Sequence, residues 1–150
     1  MIKSTFYKPP PFIVEKLTRL LNLLINEKRK YEHIAENIRD KEFKRTVISL
    51  AQESNQYACE LSSQIHSLDG DIPLEHFPDE KIYPVLDTGS TNTEKEVLLF
   101  CRESEKNMIT AYRELLNEPY LMEGVRKVIR YQLNGIMYAF LQLKLLSSTT

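Results

Sequence analysis

The stretch "AENIRDKEFKRTVISLAQESNQYACELSSQIHSLDG", residues 35–70, contains the end of one helical pattern, a short connection and a complete second pattern. From Phe43 onward its apolar residues recur every three or four positions, which is the period of an amphipathic helix. Asp40 stands at the expected N-cap, and Asp69 followed by Gly70 provides a stop. Because the connection is only two or three residues long, we predict that helices 1 and 2 form an antiparallel hairpin.

The same period predicts three further helices on either side of this stretch, so the fold class is all-α. The chain has 150 residues, which is the size of a single domain. Between the second and third helices lies a segment with three prolines, two glycines and no period, which predicts a long loop. The predicted helices span about residues 12–38, 40–69, 93–117 and 120–146, and the loop spans residues 70–91.

A loop this long in a compact domain needs a structural reason. Helices of this length are roughly 40 Å long, and twenty-odd extended residues can cover that distance. We therefore predict two antiparallel hairpins joined by a long crossover loop, in the up-down-down-up order. An up-down-up-down bundle, in which the loop does not cross, is the alternative.

Composition excludes several classes of protein. The formal net charge of -1 argues against a nucleic-acid binder that works through bulk positive charge. Cys59 and Cys101 are far apart and have no metal-ligand spacing, so both are interpreted as small core residues. No run of about 18 apolar residues occurs, so we expect no membrane span. These features predict a soluble cytoplasmic protein.

Polar residues interrupt all four apolar stripes at one level. Glu27 precedes the first turn by 13 residues, and Ser54, beside Glu53, follows it by 14. Ser104 and Gln132 stand at matching distances from the turn near residue 118. A buried polar layer shared by four helices indicates a site or its remnant, or a purely structural hydrogen-bonded layer.

The residues 35–70 quoted above, together with "FCRESEKNMITAYRELLNE" at residues 100–118, resemble the ferritin-like superfamily of four-helix bundles, which is related to rubrerythrins. The closer resemblance is to a bacterial branch of uncharacterised ferritin-like domains. It covers about residues 12–146, and its motifs are patterns of helix and turn. The resemblance therefore implies the fold more strongly than it implies an activity.

Superfamily members with a diiron centre take one glutamate from each of helices 1 and 3 and a Glu-x-x-His pair from each of helices 2 and 4. In this chain three carboxylates remain, a glutamine and a glycine replace the two histidines, and a second glutamine replaces one glutamate. No Glu-x-x-His sequence occurs anywhere in the chain. The corresponding positions are Glu27, Glu53, Gln56, Glu105, Gln132 and Gly135.

This set of residues predicts a degenerate diiron site with no catalytic residues and no cofactor, because the nitrogen donors are lost. We expect a non-catalytic structural or interaction protein. The alternative is a metal-binding protein or weak oxidase, in which the three carboxylates hold one harder divalent cation such as Mn²⁺, Mg²⁺ or Ca²⁺. Glu27 is expected to lie buried with no cation beside it, so that Glu27→Gln should stabilise the fold.

Helix 4 carries more apolar residues than one stripe requires. A second seam runs through Leu133, Met137, Phe140 or Leu141, and Leu145. Either the crossover loop or a second copy of the chain must cover it. We expect loop coverage together with a homodimer contact through helix 4, or an unknown protein partner.

Overall fold

A computed structural model describes residues 9–69 and 94–148 of the chain. These residues form four α-helices and no strand, which confirms the all-α, four-helix prediction. The predicted crossover loop lies outside the described residues. The helices are α1 (Pro11–Ala35), α2 (Lys41–Asp69), α3 (Glu94–Leu116) and α4 (Glu123–Ser148).

The connection between α1 and α2 is longer than predicted, because α1 ends at Ala35 and not at residue 38. The last turn tightens there, and the amide of Ile38 donates to the Ala35 carbonyl at 3.2 Å. Ile38 nevertheless stays buried, so the apolar pattern continued past the helix end. The predicted cap of α2 is confirmed: Asp40 Oδ2 accepts a hydrogen bond from the amide of Phe43 at 2.8 Å.

The connection between α3 and α4 is held by Arg126. Its guanidinium donates to the carbonyl of Leu116, the last residue of α3, where a helix leaves acceptors without an intrahelical partner. It also donates to the carbonyls of Glu118 at 3.0 Å and Leu121 at 3.4 Å in the connection. These bonds organise the residues before α4, which begins at Glu123 and not near residue 120.

Four helix pairs build the core: α1 with α2, α3 with α4, α2 with α4, and α1 with α3. Consequently α2 and α3 lie diagonally opposite each other, as do α1 and α4. The predicted stripes of α1 and α2 are largely buried as expected. On α3 and α4 most positions of the helical stripes are buried too. The period favours Ala111, Val128 and Ala139 for the buried face, but these residues are half-buried, and their neighbours Tyr112, Ile129 and Phe140 are buried instead.

Contacts across the bundle follow a consistent order. Lys16, near the start of α1, binds Glu118 after α3 at 2.7 Å, whereas Tyr31, near the end of α1, contacts Ser104. This hydrogen bond from Lys16 lowers the pKa of the Glu118 carboxyl. Between α3 and α4, Tyr112 contacts Gln132, and Glu105 lies 3.4 Å from Lys144. Within the described ranges, no helix has the length and apolar character that crossing a bilayer requires.

The two cysteines differ in environment. Cys101 is buried, as predicted, and burial raises the pKa of its thiol to about 12. Cys59 is exposed, so its assignment to the core was wrong. The residue lies one position past Ala58, and a step of one residue turns a helical side chain by about 100° away from the core.

Candidate functional site: two buried polar clusters

The first buried polar cluster joins α1 to α3 and is centred on a carboxylate. Glu27 is 1% exposed and accepts a hydrogen bond from the Ser104 hydroxyl. Ser104 thereby uses its one proton, so Tyr31, whose oxygen lies 2.5 Å from Ser104 Oγ, must be the donor of that second bond. We call Glu27, Lys30, Tyr31 and Ser104 the Glu27 cluster.

The ammonium group of Lys30 lies at the edge of this cluster, although no cation was expected there from the sequence. Lys30 Nζ lies 3.4 Å from Glu27 Oε2 and also 5.7 Å from the centre of the Phe100 ring. The Lys30 side chain is about one-third exposed, so Lys30 can pair with the buried Glu27 while it keeps contact with water. The expectation that Glu27 has no cationic neighbour was wrong. Because Glu27 is paired with Lys30, there is no longer a reason to expect that Glu27→Gln stabilises the fold.

The second cluster joins α2, α3 and α4 and is centred on an amide. Gln132 is fully buried; its carbonyl oxygen accepts from the Tyr112 hydroxyl at 2.7 Å. Its nitrogen donates to the Tyr57 carbonyl at 3.2 Å and to Glu60 Oε1 at 3.1 Å. The amide therefore uses both its donor and its acceptor side. We call Glu53, Tyr57, Glu60, Tyr112 and Gln132 the Gln132 cluster.

Gly135 makes room for one member of this cluster. A Cβ atom built on Gly135 would lie 1.9 Å from the hydroxyl oxygen of Tyr57, which is far inside any allowed contact. The same hydroxyl donates to Glu53 Oε2 at 2.9 Å. The Tyr57 side chain therefore fills the volume into which a side chain at position 135 would project.

Three phenols and one carboxyl group in the two clusters favour their neutral forms. Burial raises the pKa values of the Tyr31, Tyr57 and Tyr112 phenols, and the negative charge of Glu27 adds to the effect on Tyr31. Burial likewise raises the pKa of Glu53. The three phenols thus act as proton donors in fixed hydrogen bonds near neutral pH, and none is poised to become a phenolate.

The predicted layer is brought together only in part. Glu27 and Gln132 are fully buried as predicted, but they belong to different clusters. Gln56 is exposed and donates to Glu60 Oε2 at 3.1 Å, so it lies outside the buried layer. Glu105 lies 3.4 Å from Lys144. Across residues 9–69 and 94–148, no three His, Cys, Asp or Glu side chains converge as a metal site requires.

The residues present do not fit a pair of metal ions. Such a centre requires carboxylates and imidazoles directed at one point. Here the two glutamines and Gly135 supply no imidazole, Gln56 is exposed, and the Tyr57 hydroxyl occupies the place beside Gly135. The donor set therefore differs from a diiron site in both chemistry and position.

Three members of the clusters were not assigned to the layer from sequence. Lys30 and Glu60 were missed because charged residues on a helix are ordinarily solvated. Tyr112 was assigned to helix 3 but not to its buried stripe. A signal was available for Glu60, since Gln56 and Glu60 are four residues apart and Gln132 is the matching polar residue on helix 4.

Comparison with known proteins adds no assignment: no protein-family model matches the chain, and no curated protein sequence matches it significantly.

Proposed function

We propose that this chain is a ferritin-like four-helix bundle that serves as a non-catalytic structural or interaction protein, in which two hydrogen-bonded clusters take the place of a diiron site. The observation that carries the proposal is the Tyr57 hydroxyl, 1.9 Å from the Cβ position of Gly135. In the metal-bearing arrangement that position holds a histidine. Here the same volume is filled by a side chain that contributes one hydrogen bond to Glu53.

The three remaining carboxylates support the proposal, because each has a partner within the chain. Glu27 is paired with Ser104 and Lys30, and Glu53 with Tyr57. Glu105 lies beside Lys144. A buried carboxylate needs an opposite charge or several donors, and a metal ion is one way to provide them. In this chain ammonium and hydroxyl groups do so.

The proposed arrangement is up-down-down-up, with two antiparallel hairpins joined by a crossover. Its support is the order of the contacts between α1 and α3. Lys16, near the start of α1, pairs with Glu118 beyond the end of α3, whereas Tyr31, near the end of α1, pairs with Ser104 earlier in α3. This order is the one expected if α1 and α3 run in opposite directions. The diagonal positions of α2 and α3 agree with it, since the up-down-up-down alternative normally places consecutive helices side by side.

Elemental analysis and iron titration test the function. The full chain is purified without a metal-affinity tag or chelator, analysed for metals, titrated anaerobically with Fe²⁺ and then exposed to air. We expect no stoichiometric metal, no oxo-bridge absorption band, and a melting temperature that chelator treatment does not change. Two tightly bound irons per chain with that band would refute the proposal.

One tightly bound harder cation per chain would instead support the alternative, a metal-binding protein that uses a partial carboxylate site. Two matched variants locate any metal that is found. Glu27→Gln with Glu53→Gln removes two candidate carboxylates, whereas Glu103→Gln removes an exposed one from α3. Metal lost only in the first variant belongs to the predicted layer.

The cytoplasmic location and the homodimer contact through helix 4 stay predictions. Size-exclusion chromatography with light scattering over a range of protein concentrations tests the second of these directly.

A further inference from the structure

A small cavity lies between the four helices, and each helix contributes to its wall. Its volume is about 10 Å³. A cavity needs at least about 10 Å³ to hold one water molecule. Its polar lining comes from Tyr31 on α1 and from Glu53 and Ser54 on α2. Tyr31 belongs to the Glu27 cluster and Glu53 to the Gln132 cluster, so the cavity separates the two clusters.

The other walls of the cavity are apolar. Met108 on α3 and Phe140 on α4 are both buried and line it. The position of Phe140 shows that the second seam predicted on helix 4 is half wrong. Phe140 and Leu133 are buried, whereas three members of the seam are exposed: Met137, Leu141 and Leu145. A molecule in the cavity therefore finds its hydrogen-bonding partners only among the three polar side chains.

The hydroxyl of Ser54 points to a ligand in this cavity. The residue is 8% exposed, and no group in the described part of the chain forms a hydrogen bond with its hydroxyl. Across residues 9–69 and 94–148, no side-chain nitrogen or oxygen that is sealed from water lacks a partner. The Ser54 oxygen is therefore within reach of a water-sized molecule, and the cavity that it lines has room for one.

Glu53 and Tyr31 can both accept a further hydrogen bond. The Glu53 carboxylate accepts from the Tyr57 hydroxyl through Oε2, and a carboxylate has about four acceptor sites. The Tyr31 hydroxyl donates its proton to Ser104, so its oxygen still has lone pairs. A water molecule that accepts from Ser54 can donate to both, which gives it about the three hydrogen bonds that buried waters usually make.

We propose that one water molecule binds in this cavity, where it accepts from the Ser54 hydroxyl and donates to Glu53 and Tyr31. It enters beside Glu53, which is half-buried. The water joins the Glu27 cluster to the Gln132 cluster, so that one hydrogen-bonded layer spans all four helices.

A metal ion fits the cavity less well than water. Only one carboxylate lines it, and hard divalent cations take about six or more oxygen ligands. The inference rests on the proposed function in one respect, since a metal ion bound in the layer would displace the water. The iron titration described above detects that failure separately.

Crystals of the full-length, metal-free protein test the proposal. We expect one ordered water in the cavity, about 2.8 Å from Ser54 Oγ and from an oxygen of Glu53. Ser54→Ala removes one of its three partners, and we expect the density of the water to disappear. Ser62→Ala is the matched control: Ser62 is also 8% exposed on α2 but does not line the cavity, so the water should stay.

Methyl NMR tests the same site in solution. Met108 is 2% exposed, so bulk water does not reach its methyl group, whereas a water in the cavity does. We expect cross-relaxation between water and the Met108 methyl group in the wild type and in Ser62→Ala. The signal should be at least fivefold weaker in Ser54→Ala.

Three outcomes overturn the proposal. They are a metal-free wild-type structure in which side chains close the cavity, a Ser54 hydroxyl bonded to a carbonyl of its own helix with no water beside it, and a water that Ser54→Ala leaves unchanged in density and in cross-relaxation. The wild-type measurements decide the matter alone if Ser54→Ala does not fold. A metal ion in the layer would refute the proposed function, whereas a metal-free layer without the water would refute only this inference.

Discussion

The buried polar groups of the Glu27 cluster and of the Gln132 cluster are stabilised in different ways. In the first, a carboxylate is held by Ser104 and by Lys30, whose ammonium keeps contact with water at the rim. In the second, a neutral amide donates and accepts at once, so it is fully buried and links three helices. A buried charge therefore restricts its cluster to a place where a cation can reach it from the surface, whereas an amide can lie at the centre of the bundle.

The largest effect is expected from removing the amide. Gln132→Leu keeps an apolar side chain of similar size but leaves the buried Tyr112 hydroxyl without its acceptor, and we expect a loss of about 3 kcal/mol in the free energy of unfolding. Chemical denaturation measures it. Gln142→Leu, an exposed glutamine on the same helix, is the control and should change stability by less than about 0.5 kcal/mol. Equal losses in the two variants would mean that the amide is not the centre of its cluster.

The next effect tests the charged cluster. Ser104→Ala removes the hydroxyl that donates to Glu27 and accepts from Tyr31, and we expect a loss of about 2 kcal/mol, because bonds to a buried charge are stronger than neutral ones. Thermal and urea unfolding measure it. The control is Ser62→Ala, another buried serine. If Ser104→Ala costs no more than the control, Lys30 alone must suffice for the charge of Glu27.

A smaller effect is expected where the Gln132 cluster meets Gly135. Gly135→Ala places a methyl group against the Tyr57 hydroxyl, and overpacking outweighs the gain in helix propensity by about 1 kcal/mol. Tyr57→Phe removes the oxygen from that place. The double variant Gly135→Ala with Tyr57→Phe should therefore be more stable than the sum of the single changes predicts. Strict additivity in this double-mutant cycle would contradict the close packing of the two residues.

The smallest effect depends on pH. Burial raises the pKa of Glu53 above its usual 4.5, so the neutral form is favoured in the folded state. The contribution of this group to stability is full below pH 4.5 and decreases as the pH rises through the folded value. We therefore expect Glu53→Gln to gain stability relative to wild type between acid and neutral pH, by a few tenths of a kcal/mol because the group is half-exposed. Glu103→Gln should show no such trend, and a trend of the opposite sign would mean that Glu53 is held as the carboxylate.

Local patterns determined the elements. The stripe of α1, the Asp40 cap and the helix-breaking residues near position 118 were all readable from the sequence, because each depends on residues within a few positions of one another. Burial of Glu27, Ser104 and Gln132 was predicted for the same reason: they interrupt otherwise apolar stripes.

The tertiary structure decided which buried polar side chains contact each other. Whether Glu27 contacts Ser104, or Gln132 contacts Glu60, depends on the rotation of one helix against another, and a one-residue error in the predicted stripe already changes that rotation, as Tyr112 and Ile129 illustrate. From the sequence, Gly135 was predicted to stand where metal-bearing members of the superfamily have a histidine ligand. The Tyr57 side chain fills the space beside Gly135 because α2 packs closely against α4 at this level. The sequence pattern of a helix shows which face is buried, but it does not show which side chain of a neighbouring helix packs against that face.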